Sequence, residues 1–286
     1  MPPAKAVARA FPARETIEGA GVRLHRAFGY TQLPLFDPFL MLDDFRSENP
    51  EDYLPGFPWH PHRGIETVTY MLEGEVEHRD SLGHSGSVKA GGVQWMTAGS
   101  GIIHQEMPKP VDGRMEGFQL WVNLPRSHKM IDPRYQEVPA ERIPIVSPQR
   151  GVRIRIISGT VDEVSGPVQD IVGYPEFLDV TLGPDVPFSH EVRAEHTAAA
   201  YVIGGSGNFD LRQERELSNL TMVLFGQEGR WVHIIAGSRG LRFLYFSGKP
   251  LKDPVAWRGP IVMNTEEELR QAFAEYRNGT FLRKRR

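Results

Sequence analysis

The chain has 286 residues, with 33 Lys and Arg against 36 Asp and Glu and a formal net charge of -3. That length allows one large or two medium domains with cores of their own, and the near-balance of charge disfavours nucleic acid as a direct partner, because phosphate binding leaves an excess of cations. Cysteine is absent, which excludes disulfides and thiolate metal sites, so any metal must be held by nitrogen and oxygen.

Residues 1–5 lack the apolar run of a signal peptide, and no stretch reaches 18 consecutive apolar residues. A cytoplasmic protein without a membrane span is expected. Glycine (29) and proline (23) punctuate short apolar runs at 67–72, 93–97, 118–122, 152–157, 201–203 and 241–246. Short strands at this spacing predict a mainly-β protein built as sandwiches or barrels. Residues 75–83 read as a strand running into a turn, and 152–156 alternate apolar and charged as a half-exposed strand does. Near the end, Thr265 and Glu268 form a capping box, while Leu269, Ala272, Phe273 and Tyr276 recur with helical spacing. With Gly279 as a stop signal, they predict a helix at about 265–278. The closing Arg283-Lys284-Arg285-Arg286 reads as a solvated terminus, with a nuclear-targeting or anion-binding segment as the alternative.

The chain also resembles itself. Tyr70-Met71-Leu72-Glu73-Gly74 is similar to Tyr201-Val202-Ile203-Gly204-Gly205, and Trp95-Met96-Thr97-Ala98-Gly99 to His233-Ile234-Ile235-Ala236-Gly237. The two matches come in one order, at offsets of 131 and 138, and predict a duplicated β-domain.

Two alternating motifs lie in the first copy, His60-Pro61-His62 and His104-Gln105-Glu106. On a strand, positions i and i+2 share a face, so two neighbouring strands can offer three imidazoles and one carboxylate to a common point. That donor set suits iron, nickel, copper, zinc or manganese. A closed structural zinc site is disfavoured, because such sites favour cysteine. At the offsets of the repeat the four positions become Glu191, Arg193, Arg242 and Leu244, so one metal site is expected, in the first half. Gln119, Trp121 and Asn123 share a strand face and read as ordinary edge groups, with contact to a ligand or substrate as the alternative. His78, His84 and His128 sit among charged or turn residues and are expected to be solvated.

Further stretches carry a family resemblance: Phe36 to Phe39, Leu42 to Phe45, Phe57 to Gly64 with its His60-Pro61-His62-Arg63-Gly64 core, Glu66 to Tyr70, Gln94 to Gly99, Gly101 to His104, and Phe118 to Pro125. Over roughly residues 25–135 the chain resembles the pirin family of the bicupin superfamily. The resemblance implies two stacked cupin-type β-barrel (double-stranded β-helix) domains. Residues 1–134 would carry a mononuclear non-haem Fe(II), with other divalent first-row metals as alternatives; residues 135–286 would lack ligands and end in the helix. The implied ligands are His60, His62, His104 and Glu106, with Glu106 also the catalytic base. Glu66 ranks second, as an outer group or a salt-bridge partner of Arg63. The implied activity is a dioxygenase that opens quercetin-like flavonols with release of carbon monoxide, taking a small aromatic or enolic substrate and dioxygen. The alternative is a non-enzymatic, iron-dependent redox sensor that regulates a protein partner such as a transcription or metabolic factor.

Overall fold

This computed structural model describes residues 4–109, 111, 113–210 and 215–283. Of the basic tail, Lys284, Arg285 and Arg286 lie outside the described residues. The chain forms two compact units, and no helix among the described residues is long and apolar enough to cross a membrane.

One unit is made of residues 15–33, 39–141 and 251–286. Its seven-stranded sheet runs in the order Arg134–Val138, Val93–Thr97, Ile65–Glu73, Glu116–Asn123, Phe39–Asp44, Val22–Phe28 and Arg14–Glu18. A four-stranded sheet has the order Phe57–His62, Ile102–Lys109, Glu75–Asp80 and Ser85–Lys89. The chain crosses between the two at Gly64 (φ 79) and Gly74 (φ 82), in the left-handed region that L side chains rarely adopt. Val22, Leu24, Met71, Val76, Val88 and Met115 from both sheets form one apolar cluster. Each such side chain contributes roughly 1.5–3 kcal/mol by leaving water.

The other unit is made of residues 1–14, 34–38 and 142–250. Its sheet is centred on the long strands Thr197–Asn208 and Trp231–Gly248, flanked by Glu176–Leu182 and Val152–Ser158 on one side and by Thr221–Phe225 and Val7–Pro12 on the other. The alternation expected at 152–156 is present: Val152, Ile154 and Ile156 are buried in the core with Leu178, Val180 and Phe243, while Arg153 is exposed.

Two particulars differ from the sequence reading. The mainly-β, two-part architecture is present, but the sheets do not close into barrels. Each runs from one edge strand to another, as from Arg134–Val138 to Arg14–Glu18, and the edges do not pair with one another among the described residues. In the first unit the crossings at Gly64 and Gly74 deal Phe57–His62, Ile65–Glu73 and Glu75–Asp80 alternately to two separate sheets, and each hydrogen-bonded ladder stops at its own edge. The second difference concerns the expected division at 134/135, since the compact units interleave along the chain instead. The N-terminal strand Val7–Pro12 pairs with Thr221–Phe225 in one unit. In the other, the C-terminal helix Glu266–Arg277 buries Leu269 and Ala272 against Ala256, Ile261, Met263 and Phe281.

That helix forms as its caps dictate. Thr265 Oγ1 accepts from the Glu268 backbone N–H at 3.1 Å, and Glu268 Oε2 accepts from the Thr265 N–H at 3.0 Å. Gly279, at φ 70, ends it.

Candidate metal centre

The strands Phe57–His62 and Ile102–Lys109 are hydrogen-bonded neighbours, with His60 directly opposite His104. Alternation places His62 beside His60 on the same face, so three imidazoles converge with their ligand atoms all within 4.8 Å of one another. His60 Nε2 lies 3.1 Å from His62 Nε2 and 2.9 Å from His104 Nε2. His62 and His104 are buried, and His60 is half-buried.

The outward nitrogens assign the tautomers. His60 Nδ1 lies 2.7 Å from the Pro58 carbonyl oxygen and His62 Nδ1 lies 2.9 Å from that of Pro260. A carbonyl only accepts, so both rings donate at Nδ1. His104 Nδ1 faces His78 Nδ1 at 3.4 Å. Burial, and then the neighbouring imidazoles, hold His62 and His104 well below the usual 6.5, so both are neutral and present bare Nε2 lone pairs inward. A proton on His60 Nε2 could point at only one of them, whereas a metal cation at their common point satisfies all three. The residues therefore fit a divalent metal, and the chemistry of the donor set is that of a first-row ion.

Proton linkage gives a sign for the metal-free protein. The unfolded chain takes up protons on these histidines near 6.5 while the folded state refuses them, so the unfolded state binds more protons in that window. Metal-free stability is thus expected to be full above the usual histidine value and to fall as pH drops from about 7 to about 5. Urea unfolding midpoints across that range check it, and a flat profile contradicts the neutral pair.

Glu106 falls outside the three-histidine group. It is buried on the same strand as His104, but the pairing with Phe57–His62 slips by one residue between His104 and Glu106. Its Oε1 accepts from Thr69 Oγ1 at 3.0 Å and its Oε2 from Gln119 Nε2 at 2.9 Å. Gln119 in turn accepts from Trp121 Nε1 at 3.0 Å. Gln119 and Trp121 are therefore parts of the site rather than the edge groups the sequence suggested. Glu66 accepts from Thr97 Oγ1 at 2.7 Å. Arg63 does not pair with Glu66; it bonds Glu275 at 2.7 Å, the Ser100 carbonyl at 2.7 Å and the Phe281 carbonyl at 2.8 Å.

His78, expected to be solvated, is fully buried and touches His104, whereas His84 is partly exposed. Between them lies Asp80. Burial alone would raise its carboxyl, but hydrogen bonds from His78 and His84 and from the His84 and Leu82 backbone N–H groups outweigh that and hold it down to about 2. A cavity of about 710 Å³ opens onto His60 and His62 and is walled by Tyr30, Phe57, Trp59, Trp121 and Trp257.

In the other unit, strand pairing sets Pro187–Glu191 against residues 231–235, so the offset of 138 that led to Arg242 overshoots the counterpart of the His104 strand. Arg242 instead sits opposite Thr181 and makes a two-pronged ion pair with Asp179. His190 there pairs with Glu176 at 3.0 Å.

The family described as Pirin matches residues 21–122, and Pirin C-terminal cupin domain matches residues 177–282. A pirin-like protein of Caulobacter vibrioides is 41% identical over 98% of this chain and 100% of its own length. This chain belongs to the pirin family. Human pirin is 40% identical over 97% of the chain and 94% of its own length. Among solved structures, a quercetin 2,3-dioxygenase from Acinetobacter baumannii superposes with a TM-score of 0.88 at 32% identity, covering 98% of this chain and 99% of that one. The pirin chain described here thus combines the family's sequence with three converged imidazoles able to hold a divalent metal.

Proposed function

We propose that this pirin is an Fe(II)-dependent dioxygenase of quercetin-like flavonols. The observation that carries the reading is the juxtaposition of three inward Nε2 atoms with a cavity of about 710 Å³ walled by aromatic rings. Flat phenolic substrates suit such a wall, because ring faces and edges attract one another. The name of the Acinetobacter baumannii relative agrees with it.

In this reading His60, His62, His104 and Glu106 would hold the iron, Glu106 joining the three-imidazole group from its hydrogen bonds to Thr69 and Gln119. When bound, iron supplies redox chemistry with dioxygen and a Lewis acid for the substrate's enol oxygen. The protein's own part is orientation and proton transfer. Trp59, Trp121 and Trp257 hold the flat rings and exclude water. Glu106 would accept the enol proton on a carboxylate oxygen, with the Thr69 hydroxyl and the Gln119 amide each donating to one of its oxygens. The reaction consumes dioxygen and opens the heterocycle with loss of carbon monoxide. A redox sensor with a protein partner needs the same ligands but no cavity beside them, so the cavity favours the catalyst.

The test is anaerobic loading with ferrous iron, followed by an oxygen-dependent quercetin assay that reads flavonol absorbance and carbon monoxide. Wild-type protein is expected to turn over, and Glu106→Gln to lose about 10²–10⁴-fold, the usual contribution of a proton acceptor. Turnover no greater than that of His60→Ala would sink the reading. Oxidation-dependent binding of a partner by the same inactive protein would then favour the sensor.

A further inference from the structure

The three imidazoles of the centre are alike in donating at Nδ1 but not in what receives the bond. His60 and His62 donate to neutral backbone carbonyls, of Pro58 and Pro260. His104 faces a side chain instead, and that side chain leads to a buried charge. His78 Nε2 lies 3.3 Å from Asp80 Oδ2, and the same oxygen receives His84 Nδ1 at 2.9 Å. Asp80 Oδ1 takes the backbone N–H groups of Leu82 at 2.8 Å and His84 at 3.0 Å.

Donor and acceptor roles along this chain are met by one neutral arrangement. A carboxylate only accepts, so His78 and His84 donate to it. His78, donating at Nε2, keeps a single lone pair on Nδ1, which the donors His104 Nδ1 at 3.4 Å and Gln94 Nε2 at 3.2 Å share. His104, donating at Nδ1, is left with a bare Nε2, the atom that meets His60 Nε2 at 2.9 Å. The carboxylate's charge is thus relayed through one imidazole to one ligand alone. Tyr135 stacks over both outer rings, His78 at 4.7 Å and His84 at 5.4 Å, and fixes their planes. The relay ends at the surface, where the His84 side chain is 40% exposed.

We propose that Asp80, acting through His78, holds His104 in the tautomer that aims its Nε2 at the metal and makes it the most electron-rich of the three imidazoles. Asp80 and His78 are positioning residues, and neither touches the metal. A hydrogen bond to a negative partner raises the basicity of a ligating histidine, and outer partners of this kind contribute about 10–100-fold in metal affinity. A more electron-rich donor also favours the ferric state, so the relay lowers the iron potential. This inference rests on the metal-site reading above but not on the flavonol reaction.

The probe is Co(II), titrated against a chromophoric chelator with its d–d spectrum recorded. Asp80→Asn, with native far-UV circular dichroism, is expected to bind Co(II) about 10–100-fold more weakly, with shifted d–d bands. Loaded with iron, it should show a more positive Fe(III)/Fe(II) potential. His78→Gln, whose amide oxygen can still accept from His104, should recover part of the affinity that His78→Leu loses. Wild-type affinity, spectrum and potential in folded Asp80→Asn would overturn the positioning role and leave the metal site standing. Failure of wild-type protein to take up Co(II) would instead remove the site and this inference together. Should Asp80→Asn not fold, the His78→Leu and His78→Gln pair decides, and equal wild-type-like affinity in both overturns the role.

Discussion

His62→Ala is expected to yield a folded protein that no longer retains a divalent metal. The side chain is 1% exposed and supplies one of three converged Nε2 atoms. Its loss leaves two imidazoles at the centre, and the drop in affinity should exceed the roughly hundredfold attached to an outer partner. One structural effect accompanies it: the Pro260 carbonyl loses its donor, which costs about 1–3 kcal/mol if no water replaces it. The readout is the melting temperature with and without Co(II). A ligand at a hundred times its Kd stabilises the native state by about 2.7 kcal/mol, so the wild type should shift upward and His62→Ala should not move. Equal shifts in both proteins would remove His62 from the centre.

The three histidines were legible because a strand has a period of two. Any sheet that pairs residues 57–62 with 102–109 in register must bring His60, His62 and His104 to one side. Glu106 obeys the same alternation on its own strand, yet its carboxylate is taken up by Thr69 and Gln119 and falls outside the three-histidine group. Which partners a buried carboxylate takes leaves no mark in composition. His78 was readable and was missed: Val76, His78 and Asp80 form the buried alternate of Glu75–Asp80, and the charged Glu75, Glu77 and Arg79 obscured it. The strands and the capped helix were written in local pattern. Barrel closure was not, because open and closed sheets share the same alternation and differ only in whether distant edges pair. The interleaving of the two units was equally hidden, for it depends on which remote strand receives Val7–Pro12 and which core receives Leu269 and Ala272.

The largest loss of stability is expected from Gly64→Ala, two residues past the end of the ligand strand Phe57–His62. Gly64 has φ 79, and a Cβ there would lie 2.0 Å from the Val262 carbonyl oxygen and 2.9 Å from the Lys129 side chain. Neither neighbour can retreat cheaply. Lys129 is buried and donates from Nζ to the Gly64 carbonyl at 2.8 Å, to the Val262 carbonyl at 3.0 Å and to Asn123 Oδ1. A neutral amine has two N–H groups, so three acceptors call for an ammonium, even though burial pushes this lysine down to about 7. Alanine at 64 therefore strains the backbone by about 1–2 kcal/mol and also drives a buried cation from its neutral oxygen partners, at about 1.5–3 kcal/mol for each hydrogen bond lost. Gly279→Ala is the matched control, because Gly279 has φ 70 but nothing within 4 Å of the added carbon. It should cost the backbone strain alone. Urea unfolding of the two variants separates the contributions, and a Gly64→Ala midpoint no lower than that of Gly279→Ala would contradict the clash. Because Gly64 begins two residues after His62, a folded fraction of Gly64→Ala should also bind Co(II) more weakly, whereas Gly279→Ala should bind it as the wild type does.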